Sequence, residues 1–322
     1  MGGDQGPRLS VPASLAFLQQ FSDSRITLVG DSAQIQAQLE GHGYTRLSVI
    51  HASDAVTAGD KPSYALRHRR ESSLWQSLDL VAQNKADACV SGGNTGALMA
   101  MSKHLIGTFK GVSRPAICKP IPTKTGVSYL LDLGANLDCT AEHLVQFALM
   151  GVSLARANGI ESPRVALLNV GSENVKGSPD IQAAAAQLRE FSRVNFTGFL
   201  EGHDLFTGAA DVIVCDGFAG NVALKVSEGA ADLLFSSLEK RLRARLSSRI
   251  ACWLIGADLL AWKDEFSPAR HNGAALLGLK KPVIKSHGGA SATGFCEALA
   301  AAREQVQASL VGKLEQELRL NT

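Results

Sequence analysis

Residues 210–229 are ADVIVCDGFAGNVALKVSEG, and this stretch decides the fold class. It begins with a short apolar run, passes through a turn that contains two glycines, and continues with apolar residues at helical spacing. A buried strand followed by a glycine turn and a helix is the repeating unit of α/β proteins. Working outward in both directions, the same alternation recurs along the chain.

Short runs rich in Val, Ile and Leu predict strands, and longer segments of helical period predict helices. The predicted strands are residues 26–29, 47–50, 88–90, 128–131, 165–169, 195–199, 212–215 and 283–285. The predicted helices are residues 13–21, 33–40, 72–83, 95–105, 141–158, 181–191, 222–246 and 291–318. This order predicts an α/β fold, a three-layer α/β/α sandwich. Without a repeat or a low-complexity linker, residues 1–322 are predicted to form a single domain.

Composition narrows the function classes. The 322 residues are 45% hydrophobic, enough to bury a large core. Lys and Arg number 32 against 30 Asp and Glu, so overall charge gives no reason to expect nucleic acid as the partner. The six cysteines form no CxxC pair and no metal-ligand spacing, so we expect reduced thiols and no metal. No signal peptide opens the chain and no apolar run approaches the ~20 residues that cross a bilayer, so we expect a cytoplasmic location.

One turn that follows a predicted strand has the chemistry of an anion site. Residues 91–100 are SGGNTGALMA, so the chain leaves a strand, passes three glycines and enters a helix. Backbone N–H groups exposed at such a turn bind phosphate. The pattern is neither a Walker motif nor a dinucleotide fingerprint, so it implies neither ATP nor NAD. The alternative is a turn that only packs a helix on a strand.

A second turn, residues 216–221, has a similar design. Asn221 and Lys225 lie four residues apart on one face of the following helix. They would place an amide that caps the helix and a cation beside an anion at the helix N-terminus. The alternative is a capping asparagine with a solvated lysine.

Three further predicted strand ends carry polar groups, namely Asn136, Lys176 and His287. Because ligands bind beyond the carboxyl ends of parallel strands, we predict that all five turns converge on one edge of the sheet. Each turn taken alone is more often ordinary turn chemistry, and His287 alone is more often a structural histidine.

Several blocks of the sequence carry a family resemblance. They are MGGDQGP (1–7), SGGNTGALMA (91–100), SRPAI (113–117), LLDLGAN (130–136), LLNVGSENVKG (167–177), ADVIVCDGFAGNVALKVSEG (210–229) and VIKSHGGAS (283–291). In these blocks the chain resembles the PlsX family of bacterial acyl-ACP:phosphate acyltransferases. The resemblance implies an α/β/α fold related to isocitrate and isopropylmalate dehydrogenases and to phosphotransacetylases. It also implies a homodimer that transfers a fatty acyl group from acyl carrier protein to inorganic phosphate, without a cofactor, at the start of phospholipid synthesis.

In that reaction a phosphate oxygen attacks a thioester carbonyl and a thiolate leaves, so positioning and electrostatics dominate over a protein nucleophile. We expect a catalytic set of four residues: Lys225, Asn221, His287 and Asn136. We expect substrate contacts from Gly2, Gly3, Asp4, Gly92, Gly93, Asn94, Thr95, Gly96, Lys176, Asp216, Gly217 and Gly220. Asn94, Asn136 and His287 are the candidate donors to the developing oxyanion.

The N-terminal motif departs from the family pattern. The family has a β-strand that ends in Asp-Ala just before Met-Gly-Gly-Asp, whereas this sequence begins at Met1 of the motif. We therefore expect Gly2, Gly3 and Asp4 to lack the element that would direct them at the site.

Residues 237–262 combine a basic helix with an apolar stretch. The basic half includes Arg241 and Arg245, and the apolar half includes Trp253 and Leu254. Such a segment fits a helix lying on an anionic lipid surface, where each cation adds about 1 kcal/mol. The resemblance implies peripheral membrane association through this region, and we expect a protruding helical arm at about 230–270. The alternative is an arm packed on a dimer partner, and one arm can do both.

Two other functions compete. An NAD-dependent dehydrogenase of the related fold is disfavoured because no GxGxxG motif or carboxylate cluster is present. The other competing function is a noncatalytic membrane-associated scaffold of lipid synthesis. Formation of acyl phosphate from acyl-ACP would exclude it.

Overall fold

A computed structural model describes residues 1–39, 44–244, 255–265, 270 and 272–320 of the chain. The strands are β1 (Ile26–Gly30), β2 (Leu47–His51), β3 (Cys89–Ser91), β4 (Ala116–Thr123), β5 (Gly126–Leu131), β6 (Arg164–Leu168), β7 (Asn195–Leu200), β8 (Val212–Val214), β9 (Ala274–Leu277) and β10 (Val283–Lys285). The helices are α1 (Pro7–Gln20), α2 (Ser32–Gln38), α3 (Pro62–His68), α4 (Ser73–Ala82), α5 (Thr95–Leu105), α6 (Ala141–Ala157), α7 (Pro179–Glu190), α8 (Gly217–Ala244), α9 (Gly256–Glu265), α10 (Ala292–Gln307) and α11 (Leu310–Leu320). Within these residues, no helix has the length and apolarity needed to cross a membrane.

Eight strands form the central sheet, in the order β3-β10-β9-β4-β5-β8-β6-β7. One face of the sheet is covered by an apolar core that includes the wholly buried Phe147 and Met150 of α6. The other face is covered by a second core that includes Leu78 of α4 and Leu98 of α5. Helices on both faces of one sheet make three layers, so the predicted α/β class is confirmed.

The strands do not all run in one direction, which contradicts the predicted convergence of five turns. Strands β10, β9, β4 and β5 pair antiparallel in succession, whereas β3 pairs parallel with β10, and β8 pairs parallel with β5. Three reversals leave β3 and β10 antiparallel to β5, β6 and β8. The turns after β3 and β10 therefore lie at one end of the strands, and the turns after β5, β6 and β8 lie at the other.

Strands β1 and β2 form a separate parallel pair. A cavity of about 790 Å³ is lined by β1, β2 and β3, and by residues of α1 and α10. Met1 and Gly2 also line this cavity. The first residues of the chain therefore lie beside β3.

Some helix boundaries differ from the prediction. Helix α8 begins at Gly217, five residues before the predicted start, because the Asp216 side chain accepts a hydrogen bond from the Ala219 N–H at 2.7 Å. The predicted helix at 291–318 is two helices, since Ser309 between them has a φ of 50°. Residues 62–68, for which the sequence predicts no helix, form α3.

Candidate active site

The loop that follows β3 brings the chain back against its own N-terminus. Gly93 donates its N–H to the Ser91 hydroxyl at 3.2 Å. A Cβ on Gly2 would lie 2.8 Å from the Cα of Gly93, so the two backbones are in direct contact. Asp4 donates its N–H to the Gly288 carbonyl at 3.1 Å. Gly2, Gly3 and Asp4 are thus held against the loops after β3 and β10, which corrects the expectation that nothing directs them there.

Asn94 is committed to the scaffold. Its Oδ1 caps α5 by accepting the Ala97 N–H at 3.0 Å. Its Nδ2 lies within 3.2 Å of three carbonyl oxygens, those of Thr57, Ala58 and Asp60. Because both ends of the amide are engaged, Asn94 shapes the loop instead of offering a donor to a substrate. Thr95 and Gly96 follow Asn94 in the first turn of α5, and both are half-buried.

The predicted catalytic residues Lys225 and His287 meet. Lys225 lies two turns into α8, and its Nζ is 3.0 Å from Nε2 of His287, which follows β10. The same Nζ donates to the Glu228 carboxylate at 2.8 Å. Helix α8 thus carries Lys225 from the end of the sheet at which it begins to the end at which β3 and β10 finish. This contact joins two of the sequence blocks that resemble the family.

His287 is set up as a neutral hydrogen-bond donor. Gly289 donates its N–H to His287 Nδ1 at 3.1 Å, so a neutral imidazole carries its ring hydrogen on Nε2. Burial lowers the pKa of His287, and the nearby Lys225 ammonium lowers this pKa further. Because the Lys225 ammonium cannot accept this hydrogen, the 3.0 Å approach of Nζ to Nε2 brings two donors together, and an acceptor bound beside them would satisfy both.

Two lysines that sequence reasoning did not single out complete a cationic cluster. Lys285 donates to the carbonyls of Gly92 and Ser286, and burial lowers the pKa of Lys285 to about 8. Lys119 extends from β4 to 3.8 Å from the Glu228 carboxylate, and burial lowers the pKa of Lys119. The sequence feature that could have identified Lys119 is a lysine inside the otherwise mostly apolar segment AICKPIPT. This segment is not among the predicted strands.

The remaining predicted residues lie at the opposite end of the strands. Asn136 is 2% exposed, and its Nδ2 donates to the Pro115 carbonyl at 2.8 Å and to the Asp132 carboxylate at 2.9 Å. Gly217 donates its N–H to the Asn136 carbonyl at 2.7 Å, and a Cβ on Gly220 would collide with the Asp132 carbonyl oxygen. With Asp216 capping α8, this group of residues packs the start of the helix against the turn after β5.

Asn221 and Lys176 are exposed at that same end. Asn221 lies one turn before Lys225 on α8, beside Gly134, and is not the helix cap that the sequence suggested. Lys176 lies in the loop after β6. This loop is at the opposite end of the strands from the contact between Lys225 and His287. Of the four predicted membrane residues, Arg241 lies exposed on α8, whereas Arg245, Trp253 and Leu254 fall outside the described residues.

Solved structures of other proteins share this fold. A phosphotransacetylase from Streptococcus pyogenes superposes with a TM-score of 0.59 at 17% identity, covering 98% of this chain and 92% of that one. A 4-hydroxythreonine-4-phosphate dehydrogenase from Salmonella typhimurium gives 0.52 at 13% identity, covering 94% of this chain and 97% of that one. The chain therefore has the α/β/α fold shared by phosphotransacylases and a group of dehydrogenases.

Sequence comparison identifies the family. The chain belongs to the family described as fatty acid synthesis protein, whose profile matches residues 1–313. The phosphate acyltransferase of Teredinibacter turnerae is 54% identical over 317 residues, covering 98% of this chain and 96% of the relative. That of Saccharophagus degradans is 53% identical over 319 residues, covering 99% and 94%. The predicted PlsX family is confirmed.

Proposed function

We propose that this chain transfers a fatty acyl group from acyl carrier protein to inorganic phosphate and so supplies acyl phosphate for phospholipid synthesis. Membership of the family and the name of the relatives support acyl transfer to phosphate. The observation that carries the site assignment is the contact between Lys225 and His287, because it brings a cation and a neutral donor together beside the Gly92–Gly93 loop.

The proposed chemistry needs no protein nucleophile. A hydrogen phosphate oxygen attacks the thioester carbonyl carbon, the C–S bond breaks, and the proton of hydrogen phosphate ends on the departing thiolate. Lys225 holds the phosphate, since an ammonium forms strong charge-assisted hydrogen bonds with phosphate oxygens. Of the three candidate oxyanion donors, the amides of Asn94 and Asn136 are engaged inside the protein, which leaves His287 Nε2–H as the donor in this proposal.

The test is an assay of acyl phosphate and free thiol formed from acyl-ACP and inorganic phosphate. We expect Lys225→Ala to lower kcat/KM by about 100-fold, ~2.7 kcal/mol, because it removes a charge at the reacting phosphate. Asn221→Ala, one turn before Lys225 on α8, should lower turnover less than Lys225→Ala does. The melting temperature should not change for either variant, because both side chains are exposed. Lys110→Met, an exposed lysine elsewhere, is the control. Full activity of Lys225→Ala would remove Lys225 from the site.

We further infer that the enzyme works as a cytoplasmic homodimer at the membrane surface. Helix α8 carries exposed apolar side chains along its length, with Val226 65% exposed and Leu233 and Leu234 each 70% exposed. Phe235 of α8 and Trp262 of α9 have ring centroids 5.2 Å apart, so these two helices pack together as an arm would. The basic residues of the arm, including Arg241, suit an anionic lipid surface.

A further inference from the structure

Lys119 is a largely buried cation that shares its carboxylate partner with a second lysine. Its side chain is only 12% exposed, and the nearest carboxylate, that of Glu228, is 3.8 Å away. The Lys119 ammonium makes no hydrogen bond with any residue in the part of the chain that the structure describes. A lysine ammonium has three N–H donors, and leaving them unsatisfied in a buried site is unfavourable. The N–H groups of Lys119 are therefore available to an anion that enters the site.

Glu228 is shared between two lysines. One carboxylate oxygen accepts from Lys225 at 2.8 Å, and the other faces Lys119. One negative charge therefore lies between two ammonium groups, and Lys285 adds a further cation nearby. A doubly charged anion with several oxygens would satisfy the free N–H groups of both lysines and balance their charge.

We propose that Lys119 is a second phosphate-binding residue, which forms a clamp with Lys225 around inorganic phosphate while Glu228 fixes the spacing of the two ammonium groups. This inference rests on the proposed function, since it names how that site holds its anionic substrate. Lys119 lies in the middle of the sheet, on β4, so the clamp joins a rigid strand to helix α8. Phosphate bound there lies against both His287 and Lys225.

Stability and phosphate affinity should change in opposite directions when Lys119 is replaced by Met. The methionine has a similar length, so the melting temperature should stay the same or rise, because one of several largely buried cations that repel one another is removed. The KM for inorganic phosphate should rise about tenfold, equivalent to about 1.4 kcal/mol. Lys119→Arg, which keeps the charge, should recover part of this loss. A purely structural lysine would lower the melting temperature and leave the KM for phosphate unchanged.

The anion at Lys119 could come from a second source, because the pantetheine arm of acyl carrier protein also carries a phosphate, as a diester. The experiment has to distinguish this phosphate from inorganic phosphate. The KM for inorganic phosphate is measured at saturating acyl-ACP, and the KM for acyl-ACP at saturating phosphate. Stabilisation of the protein against heat by inorganic phosphate alone is measured in parallel. Lys281→Met, a half-buried lysine elsewhere, is the matched control and should match the parent chain in all three.

The possible outcomes distinguish a failure of the Lys119 clamp from a failure of the proposed acyl transfer. Loss confined to the two inorganic phosphate measurements supports the clamp. Loss confined to the acyl-ACP titration overturns it in favour of the pantetheine phosphate, and a phosphate KM within twofold of the parent overturns it outright. If the parent chain forms no acyl phosphate but its stabilisation by phosphate depends on Lys119, the proposed function fails while the clamp stands.

Discussion

At the scale of single residues, Lys285 is the group whose charge changes within the working pH range. It is half-buried on β10, and burial lowers the pKa of Lys285 to about 8, an effect that Lys225 reinforces and Asp4 opposes. Below pH 8 the side chain is a cation that draws phosphate to the site, and above pH 8 this charge is lost. We therefore expect the KM for phosphate to rise as the pH goes from 7 to 9.

The arginine variant isolates this effect. A guanidinium keeps its charge throughout this range, so Lys285→Arg should show a flatter dependence of the phosphate KM on pH. Ionisation of phosphate itself affects both proteins equally, so it cancels in the ratio of the two profiles. If the profiles of the parent and of Lys285→Arg run parallel, the charge of Lys285 has no part in binding phosphate.

Single residues also show how far local sequence patterns predict which side chains lie together. Lys225 and His287 were predicted from glycine-rich turns at strand ends, and the structure brings them within 3.0 Å. Asn136 came from the same kind of pattern, yet it is buried and bonded to Asp132 and a backbone carbonyl. A turn asparagine that binds its own backbone and one that faces a ligand have the same local sequence, so only the packing around each one distinguishes them.

At the scale of elements, two missed strands account for the wrong convergence of the turns. Strand β4 contains Pro120 and Pro122, which read as evidence against a central strand. The strand tolerates them because β9 pairs with β4 only at residues 116–118, so the proline half has β5 alone as a neighbour. Strand β9 is only four residues long. Without β4 and β9, the remaining strands suggest an all-parallel sheet with all its ligand-binding turns at one edge.

Helix α8 begins against the turn after β5, and two of its glycines make this testable. A Cβ on Gly220 would collide with the Asp132 carbonyl, whereas a Cβ on Gly229 would meet nothing within 4 Å. Gly220→Ala should lower the free energy of unfolding by about 1–3 kcal/mol because the helix must move off the turn. Gly229→Ala should raise it by about 0.5–1 kcal/mol, because alanine loses less backbone entropy in a helix.

Chemical denaturation of the two variants measures both changes. The two substitutions are chemically identical and lie on one helix, so differences in helix propensity cancel between them. If Gly220→Ala proves as stable as Gly229→Ala, the turn after β5 leaves room for a methyl group at residue 220 and the helix is not packed closely against Asp132. Activity should fall with Gly220→Ala, since displacement of the helix also displaces Lys225.

At the scale of the whole molecule, helix α8 connects the two ends of the sheet. It begins at the turn after β8 and brings Lys225 into contact with His287, which follows β10. Its 28 residues extend about 42 Å, and Lys225 lies about 12 Å from its first residue. This distance carries the lysine away from the turn after β8 to His287, which follows β10. Strand directions could not be deduced from the sequence, but the helical spacing that places Lys225 two turns into the helix could.

The remainder of α8 extends past the site into the arm, where dimerisation and membrane attachment can be separated. Leu233 and Leu234 are each 70% exposed, so changing both to Glu should convert a dimer into a monomer in light scattering because it places charges in an apolar contact. That variant should still float with anionic liposomes.

Changing Trp253 and Leu254 to Glu should abolish flotation and leave the dimer intact, since the sequence predicts that these residues enter the lipid interface. Val127→Glu, an exposed apolar position on β5, should alter neither property and serves as the control. Undiminished flotation of the Trp253 and Leu254 variant would exclude this anchor. A dimer that survives the change at Leu233 and Leu234 would mean that α8 is not where two copies of the chain meet.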